Sequence, residues 1–370
     1  MRRFLGYYRQ FDELSPDEIS SELRARREAE RRRELAQHPL LDLSGAAWHG
    51  PPHPEVVNAA TFALRRAVNA YPDASPLREA IAAAHGVAVA RVVVGHGAGE
   101  LLRAALRAVA APGAEVAIAW PGWGPLPQLV AEAGAKPVPV ALEALFEGPA
   151  GAPAARAGSG GAGAAAGSAG RPTTVITRPA DPTGAVVPLA DLQAFARGLA
   201  PDAWLILDEA LAGFLPDGED GLVDHPRAIH VRSFSKDHAM AGFRIGYAIV
   251  PERAEAPLAP VLGVAAPALA GALWAVQSGA GSVRRRRAQA AEQRARLEAA
   301  LAGSSFHPAP GHGPYVWLAA PGGPALAEAL AARRIFVAPG TAWGDEHHVR
   351  VTLRDSAATD RLVAALRELT

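Results

Sequence analysis

Short apolar runs alternate with helical stretches over the middle of the chain. The runs lie at residues 92–94, 116–119, 174–176, 204–207, 229–231 and 245–250. Strands that are buried on both faces have this continuous apolar pattern, because helices cover both sides of a parallel sheet. The pattern predicts an α/β fold with a mainly parallel central sheet wrapped by helices, in a large domain of residues 41–251.

The two ends of the chain have different patterns. Within residues 252–370, a long charged helix at 283–301 precedes strand-like runs at 315–318 and 348–353, which predicts a smaller α+β C-terminal domain. Near the other end, Ser15 and Glu18 have the spacing of a helix N-cap. The helix after them has few apolar positions. Residues 1–40 are therefore predicted to form a helical arm on the surface of the body or of a partner subunit.

Two segments of biased composition interrupt the pattern. Residues 147–171 are almost entirely glycine, alanine and serine, which predicts a flexible surface loop, because such a segment buries too little side chain to offset its ordering entropy. Residues 256–282 carry no charge, but three prolines interrupt them. We expect a buried loop and helix there, and no membrane partner.

Composition excludes several kinds of site. The 370 residues have a formal net charge of zero and no cysteine, so disulfides, thiolate ligands and a cysteine nucleophile are excluded. Neutral charge gives no reason to expect nucleic acid, and the arginines at 284–287 are read as a solvated helix face balanced by Glu292 and Glu298. The basic N-terminus has no apolar segment behind it, so a cytoplasmic protein is expected. No metal site is predicted.

The most informative segment spans residues 233–246. Lys236 follows Ser233 and Ser235, and Arg244 stands eight positions later between two glycines. A lysine that forms a Schiff base with a carbonyl cofactor needs hydroxyls and a guanidinium to hold a phosphate, and glycines where the backbone comes close. The segment resembles the lysine segment of fold type I pyridoxal-phosphate enzymes, the aspartate aminotransferase superfamily. The resemblance implies that Lys236 carries pyridoxal 5'-phosphate.

Two motifs upstream extend the resemblance. The amides of Gly97, Ala98 and Gly99 lie between a predicted strand and a predicted helix, where free N–H groups and the helix dipole favour a phosphate. The sequence is similar to the Gly-x-Gly-(Ser/Ala)-x-Glu phosphate loop of the superfamily. Trp123 falls where the family places an aromatic ring on the face of the pyridine.

Three further positions match functional residues of the superfamily. Asp208 ends a buried strand, where a carboxylate is costly unless paired, and Asp-Glu-Ala is similar to the family segment that contacts the pyridinium nitrogen. Tyr71 opens a Tyr-Pro-Asp segment that resembles the histidinol-phosphate aminotransferase branch. There the tyrosine reaches the cofactor phosphate of the neighbouring subunit, which implies a homodimer. Arg350 matches the small-domain arginine that binds the substrate α-carboxylate, with Arg354 as a near rival.

Two positions in the predicted cofactor site depart from the family. Asp181 stands where an asparagine donates to the phenolic oxygen of the cofactor, and Leu211 stands where a tyrosine donates to the same oxygen. Neither residue is a donor when the carboxylate is ionised. The segment that contains Trp48 and His49 also differs from the branch pattern. Both are candidates for substrate contact, and for His49 a turn-capping role is an open alternative.

Together, these motifs resemble those of pyridoxal-phosphate aminotransferases of the histidinol-phosphate type. The resemblance implies a small-molecule amino donor, a 2-oxo acid acceptor, and Lys236 and Asp208 as catalytic residues. Two alternatives stay open, because fold does not fix function. One is a decarboxylase or lyase with the same cofactor, similar to threonine-phosphate decarboxylases, and the other is a non-catalytic relative of the fold.

Overall fold

The computed structural model describes residues 39–67, 69–146, 173–223, 225–252, 258 and 263–369, together with 21, 23–27 and 29–30. The predicted arm at residues 1–40 lies mostly outside the described residues, although 23–27 are helical. The predicted loop at 147–171 lies outside them altogether.

Helices and strands alternate along the described residues. The strands are β1 (Leu41–Asp42), β2 (Val92–Gly95), β3 (Glu115–Trp120), β4 (Lys136–Ala141), β5 (Thr173–Thr177), β6 (Trp204–Glu209), β7 (Ala228–Ser233), β8 (Gly246–Ile249), β9 (His307–Pro308), β10 (Tyr315–Ala319), β11 (Ile335–Phe336), β12 (Ala338–Pro339) and β13 (His348–Thr352). The helices are α1 (Pro54–Ala67), α2 (Ser75–His85), α3 (Ala98–Val109), α4 (Leu126–Glu132), α5 (Leu142–Phe146), α6 (Leu189–Arg197), α7 (Ala266–Ser278), α8 (Ala280–Leu301), α9 (Gly323–Ala331) and α10 (Ser356–Arg367).

The central sheet has the order β2-β8-β7-β6-β5-β3-β4. Strands β3 to β7 pair in parallel with β4 at the edge, whereas β8 is antiparallel to both β2 and β7. The predicted α/β fold with a mainly parallel sheet is confirmed, and each predicted apolar run contributes to a strand. Strand β4 was missed because Pro137 and Pro139 break its pattern, and an edge strand tolerates them since one side needs no ladder hydrogen bonds.

Side chains of the sheet alternate between two helical layers. In β6, Ile206 packs in the cluster that contains Leu102 and Leu106 of α3. Its neighbours Leu205 and Leu207 pack in the other cluster, with Leu192 and Phe195 of α6. Since successive side chains of a strand point to opposite faces, the next two residues after Leu207 also face opposite layers.

The C-terminal part has its own sheet and core. Strands β12, β13, β10 and β9 form an antiparallel sheet in that order, and α8 and α10 pack with it around Leu297, Val316 and Leu362. Strand β1 pairs with β11, and Leu41 and Leu43 lie in the same core. We therefore propose that residues 41–43 belong structurally to this smaller domain, although the sequence pattern assigned them to the large one.

The arginines at 284–287 of helix α8 do not all lie on the solvated face that the sequence predicted. Arg286 is buried, and its terminal nitrogens donate to the backbone oxygens of Asp237 and Pro51. Arg287 donates to the oxygen of Leu215 at 2.7 Å and forms an ion pair with Asp217. Long arginine side chains reach carbonyls that helical composition does not reveal, so two arginines of this run tie α8 to the large domain.

The uncharged run at 256–282 contributes α7. Among the residues that the structure describes, no helix is long and apolar enough to cross a membrane.

A prediction concerns the glycines on either side of Arg244. A Cβ atom on Gly246 would lie 2.6 Å from the oxygen of Arg232 and 3.1 Å from the nitrogen of Ala98, whereas one on Gly242 would meet nothing within 4 Å. Gly246→Ala should therefore reduce the free energy of unfolding by ~1–3 kcal/mol, since backbone must shift. Gly242→Ala is the matched control and should change it little. Urea denaturation of both variants measures the difference, and equal midpoints would contradict the close approach.

Candidate active site

A cavity of about 440 Å³ lies where the carboxyl ends of the central strands meet the smaller domain. Ligands of open α/β sheets bind at this edge. Thr177 of β5, Asp208 of β6 and Ser233 of β7 line it, and β13 contributes Arg350 from the smaller domain. The sequence-predicted residues that line the cavity are Ala98, Gly99, Trp123, Asp181, Asp208, Ser233, Ser235, Lys236, Arg244 and Arg350.

Asp208 lies at the carboxyl end of β6, on the side of the sheet that carries α3. Its carboxyl group is buried and accepts a hydrogen bond from the amide of Ala210 at 3.1 Å. Burial raises the pKa of Asp208 to about 7, and the negative charges of Asp181 and Glu209 act in the same direction. No ion pair joins Asp208 to a cation among the described residues, and the charge of Lys236 only partly offsets the effect of burial on the pKa of Asp208.

The neighbouring Glu209 faces the opposite layer, where two cationic or donor side chains meet its Oε2 atom while Oε1 has no hydrogen-bond partner among the described residues. Its Oε2 atom accepts from Nδ1 of His230 at 3.1 Å and from Nε of Arg232 at 2.9 Å. The amide of Val223 donates to Nε2 of His230, which fixes the proton on Nδ1. Burial alone would raise the pKa of Glu209, but Arg232 and His230 lower it to about 2. The missing ion pair at Asp208 is therefore specific to the cavity side.

Lys236 lies three residues past the end of β7 and lines the cavity. Burial lowers its pKa, an effect that Asp181 opposes and that Arg350 and Arg244 reinforce. A lowered pKa increases the fraction of neutral amine, which is the nucleophilic form.

An anion cradle is formed by the start of α3 and the residues that follow β7. Gly97 has φ +93, a left-handed value that favours glycine, and a Cβ there would lie 3.0 Å from Nη2 of Arg244. Ser233 and Ser235 line the same part of the cavity as Arg244. The free amides of a helix N-terminus, two hydroxyls and a guanidinium are donors suited to a phosphate.

Trp123 forms one wall of the cavity. It lies in the loop between β3 and α4, and a Cβ on Gly99 would be 3.1 Å from its Cη2 atom. Glycine at position 99 therefore lets the indole ring lie against the start of α3.

Asp181 and Arg350 join the two domains across the cavity. Oδ1 of Asp181 lies 2.8 Å from Nη1 of Arg350, and Nη2 of Arg350 donates to the oxygen of Ser44 at 2.8 Å. Leu211 also lines the cavity and packs in the core of the smaller domain, where it offers no polar atom.

Four predicted residues do not line the cavity within the described chain, namely Tyr71, Trp48, His49 and Gly97. Tyr71 is fully exposed and lies beside a separate hollow with Ala67 and Leu273. Trp48 packs beside Phe214, with ring centroids 6.2 Å apart. Nδ1 of His49 has no hydrogen-bond partner among the described residues. Burial lowers the pKa of His49, and the positive charge of Arg354 lowers it further.

The nearest contribution of the segment that contains Trp48 and His49 is Ala46, which lines the cavity. The roles of Trp48, His49 and Tyr71 stay predictions. Gly97 completes the predicted phosphate loop. It does not line the cavity itself, but a Cβ atom on it would lie 3.0 Å from Nη2 of Arg244, which does.

Sequence reasoning missed two polar lining residues. Trp343 donates from Nε1 to the oxygen of Gly122 at 2.8 Å, and its ring centroid is 5.0 Å from the guanidinium of Arg350. Thr177 ends β5 and has a buried hydroxyl without a partner among the described residues. The available signals were a tryptophan near Arg350 between Gly340 and Gly344, and a hydroxyl at the end of an apolar strand. In the described residues, no group of three or more histidines, aspartates and glutamates could hold a metal ion.

The raised pKa of Asp208 predicts a pH-dependent stability of the protein freed of small molecules. The folded form keeps the proton up to about pH 7, whereas the unfolded chain loses it near 3.8, so stability should fall as pH rises from about 4 to 7. Asp208→Asn removes this penalty, which is at most ~4 kcal/mol, and should raise the melting temperature at pH 8.

The measurement is thermal unfolding of wild type and Asp208→Asn at pH 5 and pH 8. Asp202→Asn, which removes an exposed carboxylate, is the control and should follow wild type. A melting temperature of Asp208→Asn below that of wild type at pH 8 would show that the carboxylate is compensated.

Comparisons with known proteins agree on one family. The family described as aminotransferase class I and II matches residues 40–366. A histidinol-phosphate aminotransferase from Symbiobacterium thermophilum is 31% identical over 349 residues, which cover 90% of this chain and 92% of that protein. The structure of an aspartate aminotransferase from Thermus thermophilus with maleate has a TM-score of 0.75 at 26% identity, and covers 92% of this chain and 95% of that one.

A histidinol-phosphate aminotransferase from Sinorhizobium meliloti, solved in complex with pyridoxal-5'-phosphate, has a TM-score of 0.73 at 24% identity, with 92% of this chain and 95% of that chain covered. That likeness supports the fold. Because the family match spans nearly the whole described body, this chain belongs to the class I and II aminotransferases.

Proposed function

We propose that this enzyme is a pyridoxal-phosphate-dependent aminotransferase that moves an amino group between an amino acid, or a related amine, and a 2-oxo acid, with Lys236 as the cofactor lysine. The observation that carries the proposal is the meeting of three groups in one cavity. These are the buried carboxyl group of Asp208 with its raised pKa, the amine of Lys236 with its lowered pKa, and the anion cradle at the start of α3.

The residues present fit pyridoxal phosphate. The buried Asp208 forms no ion pair with a described residue, and a pyridinium nitrogen would supply a positive charge in direct contact. Ser233, Ser235 and Arg244 with the amides of α3 would hold the phosphate, and Trp123 would cover the ring face. When bound, the cofactor supplies an electron sink for negative charge at the substrate α-carbon.

Lys236 has two roles in this proposal. Its Nζ atom would hold the cofactor, and after the substrate amine takes its place the freed amine would move the proton at the substrate α-carbon. Both roles need the neutral amine, and burial lowers the pKa of Lys236 in that direction.

Asp208 would act through charge. An ionised carboxylate beside the ring nitrogen keeps that nitrogen protonated, and the positive charge in turn reverses the effect of burial on the carboxyl group. The same pairing removes the stability penalty of the free protein.

Homodimerisation is part of the proposal. Tyr71 is fully exposed, and Val57, Phe62 and Leu64 of α1 are large exposed apolar side chains on the preceding helix. Exposed apolar side chains in one region favour an interface. We propose that a second copy covers this region and that Tyr71 reaches the cofactor phosphate of the partner. A cytoplasmic location stays a prediction.

The proposed activity is tested with a panel of amino acids and 2-oxo acids. The donor should become a 2-oxo acid while the acceptor becomes an amino acid in equal amount, measured by chromatography. Lys236→Ala should lower turnover by at least about three orders of magnitude, because it removes both the attachment point and the base.

The chain has one other lysine, Lys136, which is exposed in the edge strand β4 and provides the matched control. Lys136→Ala should keep wild-type turnover. Release of carbon dioxide or ammonia in place of amino transfer would contradict the proposal and favour the decarboxylase or lyase alternative.

The shared site is tested by mixing subunits. Tyr71→Ala and Lys236→Ala proteins should each be impaired, whereas a hybrid dimer would contain one site with both changes and one intact site. Random mixing of subunits should restore about a quarter of wild-type activity, since half of the dimers are hybrids. Each variant taken alone through the same mixing procedure is the control. Activity no higher than the average of the two variants would mean that Tyr71 does not act across an interface.

A further inference from the structure

The guanidinium of Arg350 is held on several sides before any substrate is considered. Its centre lies 5.4 Å from the ring of Tyr315 and 5.0 Å from that of Trp343. Nη2 donates to the oxygen of Ser44, and the side chain is 11% exposed. Aromatic rings and a carbonyl stabilise a cation without neutralising it, so these contacts alone would leave Arg350 ready to bind an anion.

Asp181 changes the charge of this arrangement. Its side chain is buried, and its Oδ1 atom accepts a hydrogen bond from Nη1 of Arg350 at 2.8 Å. The amide that the family pattern places here would contact the arginine without charge. Because the pair is largely removed from water, the negative charge of Asp181 compensates that of Arg350 much more fully than at a surface.

An incoming carboxylate would therefore meet an arginine that already has an anion. Each terminal nitrogen of Arg350 donates one N–H to a fixed acceptor and keeps a second one, but Asp181 would repel a second carboxylate placed beside it. Asp208 is a further carboxyl group close to Asp181. Burial raises its pKa, and the negative charge of Asp181 raises it further.

An uncharged polar group meets no such repulsion. Oδ2 of Asp181 has no hydrogen bond to any described residue, and the terminal nitrogens of Arg350 each keep a second N–H. A hydroxyl or an amide can accept from the guanidinium and donate to the carboxylate at once, which a substrate carboxylate cannot do.

We propose that Asp181 determines specificity by acting as a built-in carboxylate on Arg350, so that at least one amine substrate carries a hydroxyl or amide in place of the α-carboxylate. The inference rests on the proposed aminotransferase function and narrows its substrate class.

The test compares probes of equal shape and different charge on the holoenzyme. Isothermal titration calorimetry gives the Kd of 3-phenylpropanoate and of 3-phenylpropanamide, neither of which has an amine to transfer. Wild type should bind the amide at least about tenfold more tightly than the acid. Asp181→Asn, which keeps the shape and removes the charge, should tighten binding of the acid by about tenfold or more and change the amide little.

A matched control removes a carboxylate outside the cavity. Asp345 pairs with His348 in the smaller domain and does not line the cavity, so Asp345→Asn should leave both Kd values unchanged. The same acid-to-amide ratio in Asp181→Asn as in wild type would overturn the proposal. If Asp181→Asn does not fold, wild-type binding of the acid at least as tight as that of the amide also overturns it.

Reactive substrates separate this inference from the proposed function. L-phenylalaninamide and L-phenylalanine are each mixed with the holoenzyme, and the conversion of the bound cofactor is followed by absorbance. A shift of the preference toward phenylalanine in Asp181→Asn supports the inference. Conversion with an unchanged preference overturns the role of Asp181 alone. No conversion of the cofactor by these or any other amines, with the two probes still bound, overturns the proposed function and the substrate class together.

Discussion

The carboxyl group of Asp208 is the constraint around which the site is organised. It is buried at the end of β6, receives one backbone hydrogen bond, and has a pKa raised to about 7 by burial. A protein selected for stability alone would place an apolar residue there, since an uncompensated buried carboxyl group is costly. The cost is consistent with a site that is complete only when a cation is bound.

Strand geometry explains how Asp208 can lack an ion pair while the next carboxylate forms one with Arg232. Asp208 and Glu209 are adjacent, so their side chains face opposite layers. Glu209 meets Arg232 and His230 from β7, whereas Asp208 meets the cavity. The parallel sheet then brings Lys236 to the same edge, and Gly246 lets β8 approach the start of α3 closely enough to form the anion cradle.

The sequence predicted most of the central sheet because strands buried on both faces are apolar throughout. It missed β4, whose prolines are tolerated at the sheet edge, and it misread Arg286, whose partners are backbone oxygens far away in the chain. The lysine, the phosphate loop and Asp208 could be predicted because local motifs carry them. Trp343 could not, because its place depends on how two domains pack, and no local pattern records that packing.

The pair of Asp181 and Arg350 belongs to the same class of long-range feature. The residues were each singled out from the sequence, one as a departure from the family and one as a match to it, but their contact at 2.8 Å was not. The contact gives the departure a physical meaning, because it joins a large-domain carboxylate to a small-domain guanidinium. Trp343 adds a second link across the same boundary through Gly122 and Trp120. The proposed recognition of the substrate by Arg350 would therefore depend on the position of the smaller domain, since a shift of β13 relative to the residues after β5 would change the distance between Arg350 and Asp181.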